Sequence, residues 1–198
     1  LLLGMALMPV NAYWVIMMEN IRYSAHPTTI SLFFNCIFIL VILTGINGLV
    51  ARVRPRWAFA QGELLLVYAM LCIGSCMAGH DFIQMLVPNL TWPLAQSNTS
   101  NNYLPLFGRY LPLWAMVPGV DKRSAFYLGH GHFDAEALHA WLPAILIWTG
   151  FVVLLLWTMQ CINVLIRKQW TDNERLTYPL TKIPLEITDA QPFGRGRS

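Results

Sequence analysis

The chain has 198 residues, of which 56% are hydrophobic and only 12% are charged, and its mean hydropathy is +0.50. Soluble domains carry about a quarter charged residues, so this composition excludes an ordinary soluble domain and indicates an integral membrane protein. The net charge is only +3, and the cations stand at the ends of apolar segments, which excludes nucleic acid as an expected partner. The expected partners are the lipid bilayer and other transmembrane helices or subunits.

Four apolar segments are predicted to cross the membrane as helices, at about residues 1–18, 29–50, 62–85 and 143–166. The last segment contains no Asp, Glu, Lys, Arg or His. At about 1.5 Å per residue it is roughly 36 Å long, which is enough for the ~30 Å hydrocarbon core of a bilayer. The sequence therefore predicts an all-α, polytopic membrane protein with a single membrane domain.

The first predicted span is interrupted by Pro9 and Asn11. A proline inside a span leaves a carbonyl without its N–H donor, and this is tolerated where neighbouring helices or water satisfy the backbone. One interpretation is a simple kink, and the other is a broken helix beside a substrate path. A short polar connection over residues 19–28 leads to the second span.

The second predicted span carries two polar amides, Asn35 and Asn47. We expect them to make hydrogen bonds between helices, with a role in binding a ligand as the alternative. Thr44 and Gly48 stand four residues apart, and small residues at this spacing allow another helix to approach closely.

The third predicted span begins with Glu63 in its first turn, where a carboxylate favours the positive end of the helix dipole. A proton-carrying role for Glu63 is the alternative. Ser75 and Gly79 place small side chains on one face and predict a tightly packed neighbouring helix. The adjacent His80 and Asp81 are interpreted as an interfacial pair satisfied by water, or alternatively as a proton relay or cation gate.

Residues 89–140 are the longest hydrophilic stretch and are predicted to form an ordered loop lying at the lipid headgroups. Within it, His130 and His132 of the string GHGH are weak candidates for binding a metal, because a site needs three or four rigidly held ligands. A glycine-rich turn before a helix is the alternative, with Asp134 as the N-cap of that helix. No cofactor is indicated.

The orientation is predicted from clusters of basic residues, which mark the cytoplasmic side. Such clusters follow the second and fourth spans, at Arg52, Arg54 and Arg56 and at Arg167 and Lys168. Both ends of the chain are therefore expected in the cytoplasm, with the loop of residues 89–140 outside and residues 167–198 as a cytoplasmic tail.

Within the predicted tail, Thr171 and Glu174 have the spacing of a capping box, which predicts a helix that stops before Pro179. Residue 1 is Leu, and the sequence ends abruptly at Ser198. We expect the chain to be a piece or a truncated relative of a longer protein.

Three stretches carry a resemblance: PVNAYWV, GELLLVYAMLCIGSCMAGHDFIQMLVPNLTWP and CINVLIRKQWTDNERLTYPLTKIPLEIT. They resemble the N-terminal part of a bacterial family of large polytopic membrane proteins, which is distantly similar to the oligopeptide transporter (OPT) superfamily. The resemblance implies a many-helix protein of the inner, cytoplasmic membrane, in a family whose members are longer than this chain and carry further spans. It implies no particular functional residues.

Two functions follow as hypotheses. The first is a transporter or permease whose polar residues line a substrate or proton path; these residues are Asn11, Asn35, Asn47, Glu63, His80 and Asp81. The second is a non-catalytic accessory subunit of a larger membrane complex, for example an energy-converting or photosynthetic assembly. An enzyme is not expected, since the chain contains no G-x-S-x-G, P-loop, HExxH or Rossmann glycine pattern.

Overall fold

The computed structural model of the chain describes residues 1–30, 32–119, 125–129, 131–132, 134–174 and 178–189. These residues form helices and turns, with no strand among them. Four helical segments are long and apolar enough to cross a membrane: Leu2–Ile21, Phe34–Val53, Pro55–Ala95 and Ala135–Asn173. The prediction of an all-α protein with four such helices is confirmed.

The described residues divide into two compact units. The first unit contains residues 1–30, 32–85 and 178–189, and the second contains residues 86–119, 125–129, 131–132 and 134–174.

Helix α1, Leu2–Ile16, opens the first unit and continues into one π-helical turn, Met17–Ile21. Pro9 lies inside α1, and the helix is not broken there. The fully buried residues Asn11, Val15 and Glu19 are spaced by four, so they form one stripe along the helix. This stripe is the face that α1 presents to its neighbours.

Helices α2, Phe34–Val53, and α3, Gln61–Ala78, complete the membrane-crossing part of the first unit. The predicted second span began at residue 29, but Pro27–Thr29 forms a 3-10 turn and Phe33 is extended, so α2 begins later. Residues 22–30 are named the link. The core between the three helices is built on Cys36, Val67 and Leu71.

The contacts of α1 with α3 fix their relative direction. Gly4 lies against Met70, and Glu19 contacts the backbone of His80, so residue numbers rise together along the two helices and they run parallel. The start of α2 meets the end of α3, because Asn35 contacts Ser75. Helix α2 therefore runs antiparallel to α3.

The third apolar segment, Pro55–Ala95, contains the predicted span of residues 62–85 but is not one continuous helix. Helix α3 ends at Ala78, Gly79 is extended, and a turn over residues 79–82 leads into helix α4, Ile83–Ala95. Helix α4 accommodates Pro88 and Pro93. The helix therefore occupies residues that were assigned to the loop.

Helix α4 extends into the predicted loop of residues 89–140. The described part of this loop contains helix α5, Tyr103–Phe107, helix α6, Ala125–Leu128, and two 3-10 turns, Gly108–Tyr110 and Leu113–Ala115. The buried backbone of this region is bonded within the second unit, since Val117 N donates to Leu90 O at 3.2 Å.

Helix α7, Ala135–Lys168, has 34 residues and measures about 50 Å. Asp134 caps it as predicted, because its Oδ1 accepts a hydrogen bond from Ala137 N at 2.8 Å. Pro143 lies inside the helix, which therefore begins before the predicted span of residues 143–166 and contains all of it. The indole Nε1 of Trp148 donates to Ala115 O at 3.0 Å and fixes the loop against α7.

The predicted capping box at Thr171 and Glu174 is wrong. A π-helical turn, Gln169–Asn173, prolongs α7, and Thr171 Oγ1 donates to Arg167 O within it. Helix α8, Pro179–Asp189, begins at a proline, which is favourable in a first helical turn. Helix α8 packs on α2 and α3 in the first unit.

Candidate functional site

The buried polar side chains of the first unit form two clusters between its helices. The first, called the amide cluster, comprises Asn11, Asn35 and Ser75 together with the thiol of Cys36. The second, called the Glu19 clamp, comprises Glu19, Thr28, His80 and Gln84. Asn11, Glu19, Asn35 and Ser75 have no solvent-exposed surface.

In the amide cluster, each of the three helices supplies a polar side chain. Asn11 Nδ2 donates to Ser75 Oγ at 2.8 Å, and Asn35 Nδ2 donates to Asn11 Oδ1 at 2.8 Å and to Ser75 Oγ at 2.9 Å. Cys36 Sγ lies 3.2 Å from the same hydroxyl. Ser75, predicted only as a packing residue, is thus the centre of the cluster.

One polar atom of the amide cluster is unsatisfied. Asn35 Oδ1 is buried and has no hydrogen-bond partner among the described residues. Leaving such an oxygen unpaired costs about 1–3 kcal/mol. A donor hydrogen or a cation from a bound molecule would satisfy it, so the cluster has an open acceptor for a ligand.

The Glu19 clamp joins three segments through one carboxylate. Glu19 Oε1 accepts hydrogen bonds from Thr28 N at 2.9 Å and from Thr28 Oγ1 at 2.6 Å. Glu19 Oε2 accepts from His80 N at 2.9 Å and from Gln84 Nε2 at 3.2 Å. All four donors are neutral groups. From the sequence, Glu19 was only a polar residue of the connection between the first two spans, and this site was missed.

The clamp explains why α3 ends where it does. The His80 N–H is directed at Glu19, and Gln84 Nε2 donates to the carbonyl of Ala78, the last residue of α3, at 3.0 Å. Unpaired carbonyls at a helix end need such partners. Thr28 reaches the clamp because Gly79 has no side chain: a Cβ there would stand 2.5 Å from Thr28 Oγ1.

Three of the predicted path residues lie outside both clusters. Asn47 bridges the connection between α2 and α3, because its Oδ1 accepts from Phe59 N at 2.7 Å and its Nδ2 donates to Phe59 O at 3.0 Å. Glu63 Oε2 accepts from Ala60 N at 2.9 Å at the start of α3, and its side chain is exposed. Asp81 is also exposed.

The other predicted site residues are placed as follows. His80 joins the clamp through its backbone, while its partly buried ring lies 5.9 Å from the ring of His26. Gly79 contacts the link and not the helix that was predicted to pack there. On α2, nothing lies within 4 Å of a Cβ built on Gly48, and Thr44 Oγ1 is buried without a partner among the described residues.

Of the two candidate metal ligands, the structure describes only His132, and it does not place that residue in a metal site. His132 is exposed, and His130 lies outside the described residues. Within the part of the chain that the structure describes, no group of three His, Cys, Asp or Glu side chains is placed to hold a metal ion.

Comparison with known proteins gives one match. The model of a protein family, described as a family of unknown function (DUF6785), matches residues 1–197. No curated protein matches the chain, and no solved structure matches it.

Proposed function

The chain belongs to the DUF6785 family, and on that premise we propose that it is the leading part of a multi-pass permease of the bacterial inner membrane. The substrate class follows the sequence resemblance to oligopeptide transporters, so short peptides are the first substrates to test. In this proposal, the amide cluster between α1, α2 and α3 belongs to the substrate path.

The observation that carries the proposal is the unpaired Asn35 Oδ1. Asn11 lies near the middle of the apolar segment Leu2–Ile21, and Asn35, at the start of α2, donates a hydrogen bond to it. Polar groups at this depth are costly and mark substrate or ion pathways. The amide and hydroxyl groups can exchange their mutual hydrogen bonds for bonds to the polar groups of a peptide.

The test is uptake of labelled dipeptides, tripeptides and tetrapeptides into proteoliposomes that contain the complete protein, with and without a proton gradient. We expect Asn35→Leu to lower uptake at least about tenfold, as loss of roughly 1.4 kcal/mol of binding does. Thr158→Ala is the control, because Thr158 Oγ1 donates a hydrogen bond to Leu154 O in its own helix. Equal uptake by Asn35→Leu and by the unaltered protein would contradict the proposal.

The same assay decides the alternative role of Glu63. We expect Glu63→Gln to assemble and transport normally, because Glu63 caps the start of α3 from an exposed position. Loss of proton-driven uptake in this variant, with normal yield, would restore Glu63 as a proton carrier.

The second candidate function is an accessory subunit of a larger membrane complex. The observation that favours it is the open face of α2, where no described residue lies within 4 Å of a Cβ built on Gly45 or Gly48. Small residues on an uncovered helix face suit close contact with another helix. Purification of the complex from native membranes tests this role: constant partner subunits favour it, and a homogeneous preparation that transports peptides rejects it.

The proposed orientation keeps the arginine-rich turn in the cytoplasm. Gln61, which follows that turn, contacts Thr188 of α8 at 3.2 Å, and this supports one common side for the turn and α8. Trypsin added to sealed right-side-out vesicles is expected to cleave after Arg109 and to spare Arg56. Cleavage after Arg56 with protection of Arg109 would invert the orientation.

A further inference from the structure

We propose that Glu19 is a proton-binding site and that the Glu19 clamp is a latch which opens when Glu19 is protonated. The proposal deepens the permease function, on which it rests for its biological purpose, by naming the proton as the ion that moves the protein. The latch itself is a property of the resting protein, so it can be measured without a substrate.

The first argument is the burial of an ionisable group among neutral partners. Glu19 has no exposed surface and lies at the end of a membrane-crossing segment, and its four donors are two backbone amides, a hydroxyl and a side-chain amide. None of them is a cation. An ionisable residue kept in such a place without a neutralising partner is expected to bind and release protons.

The second argument is the geometry of the four hydrogen bonds. An ionised carboxylate only accepts, and every group aimed at Glu19 can donate. A proton on Oε2 would face the N–H of His80 and the amide hydrogens of Gln84, which cannot accept it. A proton on Oε1 could be accepted only by the Thr28 hydroxyl.

Protonation therefore weakens the clamp at either oxygen. It removes the negative charge, and charge-assisted hydrogen bonds are roughly twice as strong as neutral ones. The weakened hydrogen bonds are the ones that connect the end of α1, the link and the turn over residues 79–82.

The third argument is the position of the latch relative to the amide cluster. Glu19 lies eight residues beyond Asn11 on the buried stripe of α1, about 12 Å along the helix. Asn35 stands at the start of α2, soon after the link that Glu19 holds through Thr28. Release of the link therefore opens the end of the three-helix core nearest the amide cluster.

Other titratable or charged groups lie on the segments packed against Glu19, and the experiment has to separate them. They are Arg22, Tyr23 and His26 on the link and His80 and Asp81 at the turn after α3. Arg22, Tyr23 and Asp81 are exposed, whereas the two histidine rings are partly buried and lie 5.9 Å apart. Histidine is the competing pH sensor.

The test is hydrogen–deuterium exchange of the purified protein in lipid nanodiscs, read at peptides covering residues 22–30 and 79–84 over a range of pH. Glu19→Gln is the main variant, because glutamine has the size of glutamate and mimics its neutral form. The ratio of exchange in the variant to exchange in the unaltered protein is taken at each pH, which cancels the intrinsic pH dependence of exchange.

At alkaline pH we expect Glu19→Gln to exchange about tenfold faster in both peptides, because charged hydrogen bonds are lost. The ratio should fall towards one in acid, where Glu19 of the unaltered protein is itself protonated. Glu63→Gln, the matched control on an exposed carboxylate, should give a ratio of one throughout.

Two outcomes would overturn the proposal. A ratio that stays elevated and constant over the whole pH range would mean that Glu19 is only a structural bond acceptor. Loss of acid-induced opening in His80→Gln, with the opening retained in Glu19→Gln, would identify the histidine as the sensor.

A second variant keeps the proposal testable if Glu19→Gln fails to fold. Thr28→Val removes the hydroxyl donor to the ionised carboxylate, so both peptides should exchange faster at alkaline pH and the difference between alkaline and acid exchange should shrink. Exchange in Thr28→Val equal to that of the unaltered protein at every pH would contradict the latch. Failure of peptide uptake with an intact exchange pattern would reject the permease function and leave the latch standing.

Discussion

Helices α1 and α7 are both long enough to cross a bilayer, but they bury very different side chains. In the most apolar 18-residue stretch of the segment that contains α1, 22% of the residues are buried, and they include Asn11 and Glu19. In the corresponding stretch of the segment that contains α7, 11% of the residues are buried. On α7 the buried residues are Ala144 and Val152. The more apolar helix α7 therefore indicates that the protein lies in a bilayer, whereas α1 carries the buried polar residues of the candidate site.

The difference has a simple physical origin. A polar side chain on a lipid-facing helix must find its partner within that helix, as Thr158 does by bonding to Leu154 O at 2.9 Å. Asn11 instead bonds to Ser75 on another helix. Substitutions of polar or small residues should therefore lower the stability of the protein when they lie on α1 and its neighbouring helices, and should have little effect on stability when they lie on α7.

The largest effect is expected for Gly79→Ala. The added Cβ would stand 2.5–2.8 Å from the side chain of Thr28, which is stiff and held by Glu19. We expect a loss of about 2 kcal/mol in the free energy of unfolding, measured in mixed detergent micelles. On α7, Gly150→Ala is the control, since nothing lies within 4 Å of its Cβ position. Equal stability of the two variants would refute the close contact at Gly79.

The next effect is expected for Asn35→Ala. It leaves Asn11 Oδ1 without its 2.8 Å donor and removes one of the two amide donors to Ser75 Oγ. Hydrogen bonds between membrane helices contribute about 1–2 kcal/mol, and the thermal unfolding midpoint should fall accordingly. Thr158→Ala on α7 should leave the midpoint unchanged. If the unfolding midpoint of Thr158→Ala fell as far as that of Asn35→Ala, α7 would not differ from the helices around the amide cluster in this respect.

A smaller effect is expected for Asn47→Ala, which removes both bonds to the backbone of Phe59. The connection between α2 and α3 should loosen by about 1 kcal/mol. Limited trypsin digestion of the purified protein should then cleave after Arg52 and Arg56 several times faster. Unchanged digestion at these sites, with Arg109 as the internal reference, would show that Asn47 does not hold this turn.

The features predicted correctly from sequence are those that depend on neighbouring residues. Four apolar runs predicted four helices, and Asp134 was recognised as an N-cap because its acceptor and the N–H of Ala137 are three residues apart. The break after Ala78 was missed, because Glu19 and Gln84 hold the turn that follows it. The hydropathy of one segment carries no information about a hydrogen-bond partner that lies about sixty residues away in the sequence.

A similar limit applies to the candidate site. Asn11 and Asn35 stood out as amides in apolar runs, but their meeting at Ser75 depends on which faces of three helices pack together. Glu19 was hidden because it lies beside Arg22 in a polar stretch of the sequence. Its spacing of four from Val15 and eight from Asn11 was the signal that it belongs to the buried stripe of α1.

The smallest effect is expected on α2, for Gly48→Ala. Because nothing lies within 4 Å of the new Cβ, the methyl group should be accepted, and removing a glycine from a helix interior should stabilise the protein by about 0.5 kcal/mol. The unfolding midpoint of the isolated protein should therefore rise slightly. In native membranes the same variant distinguishes the two candidate functions: loss of a co-purifying partner would identify Gly48 as a contact with another subunit, whereas an unchanged preparation would leave that face of α2 to lipid, as on α7.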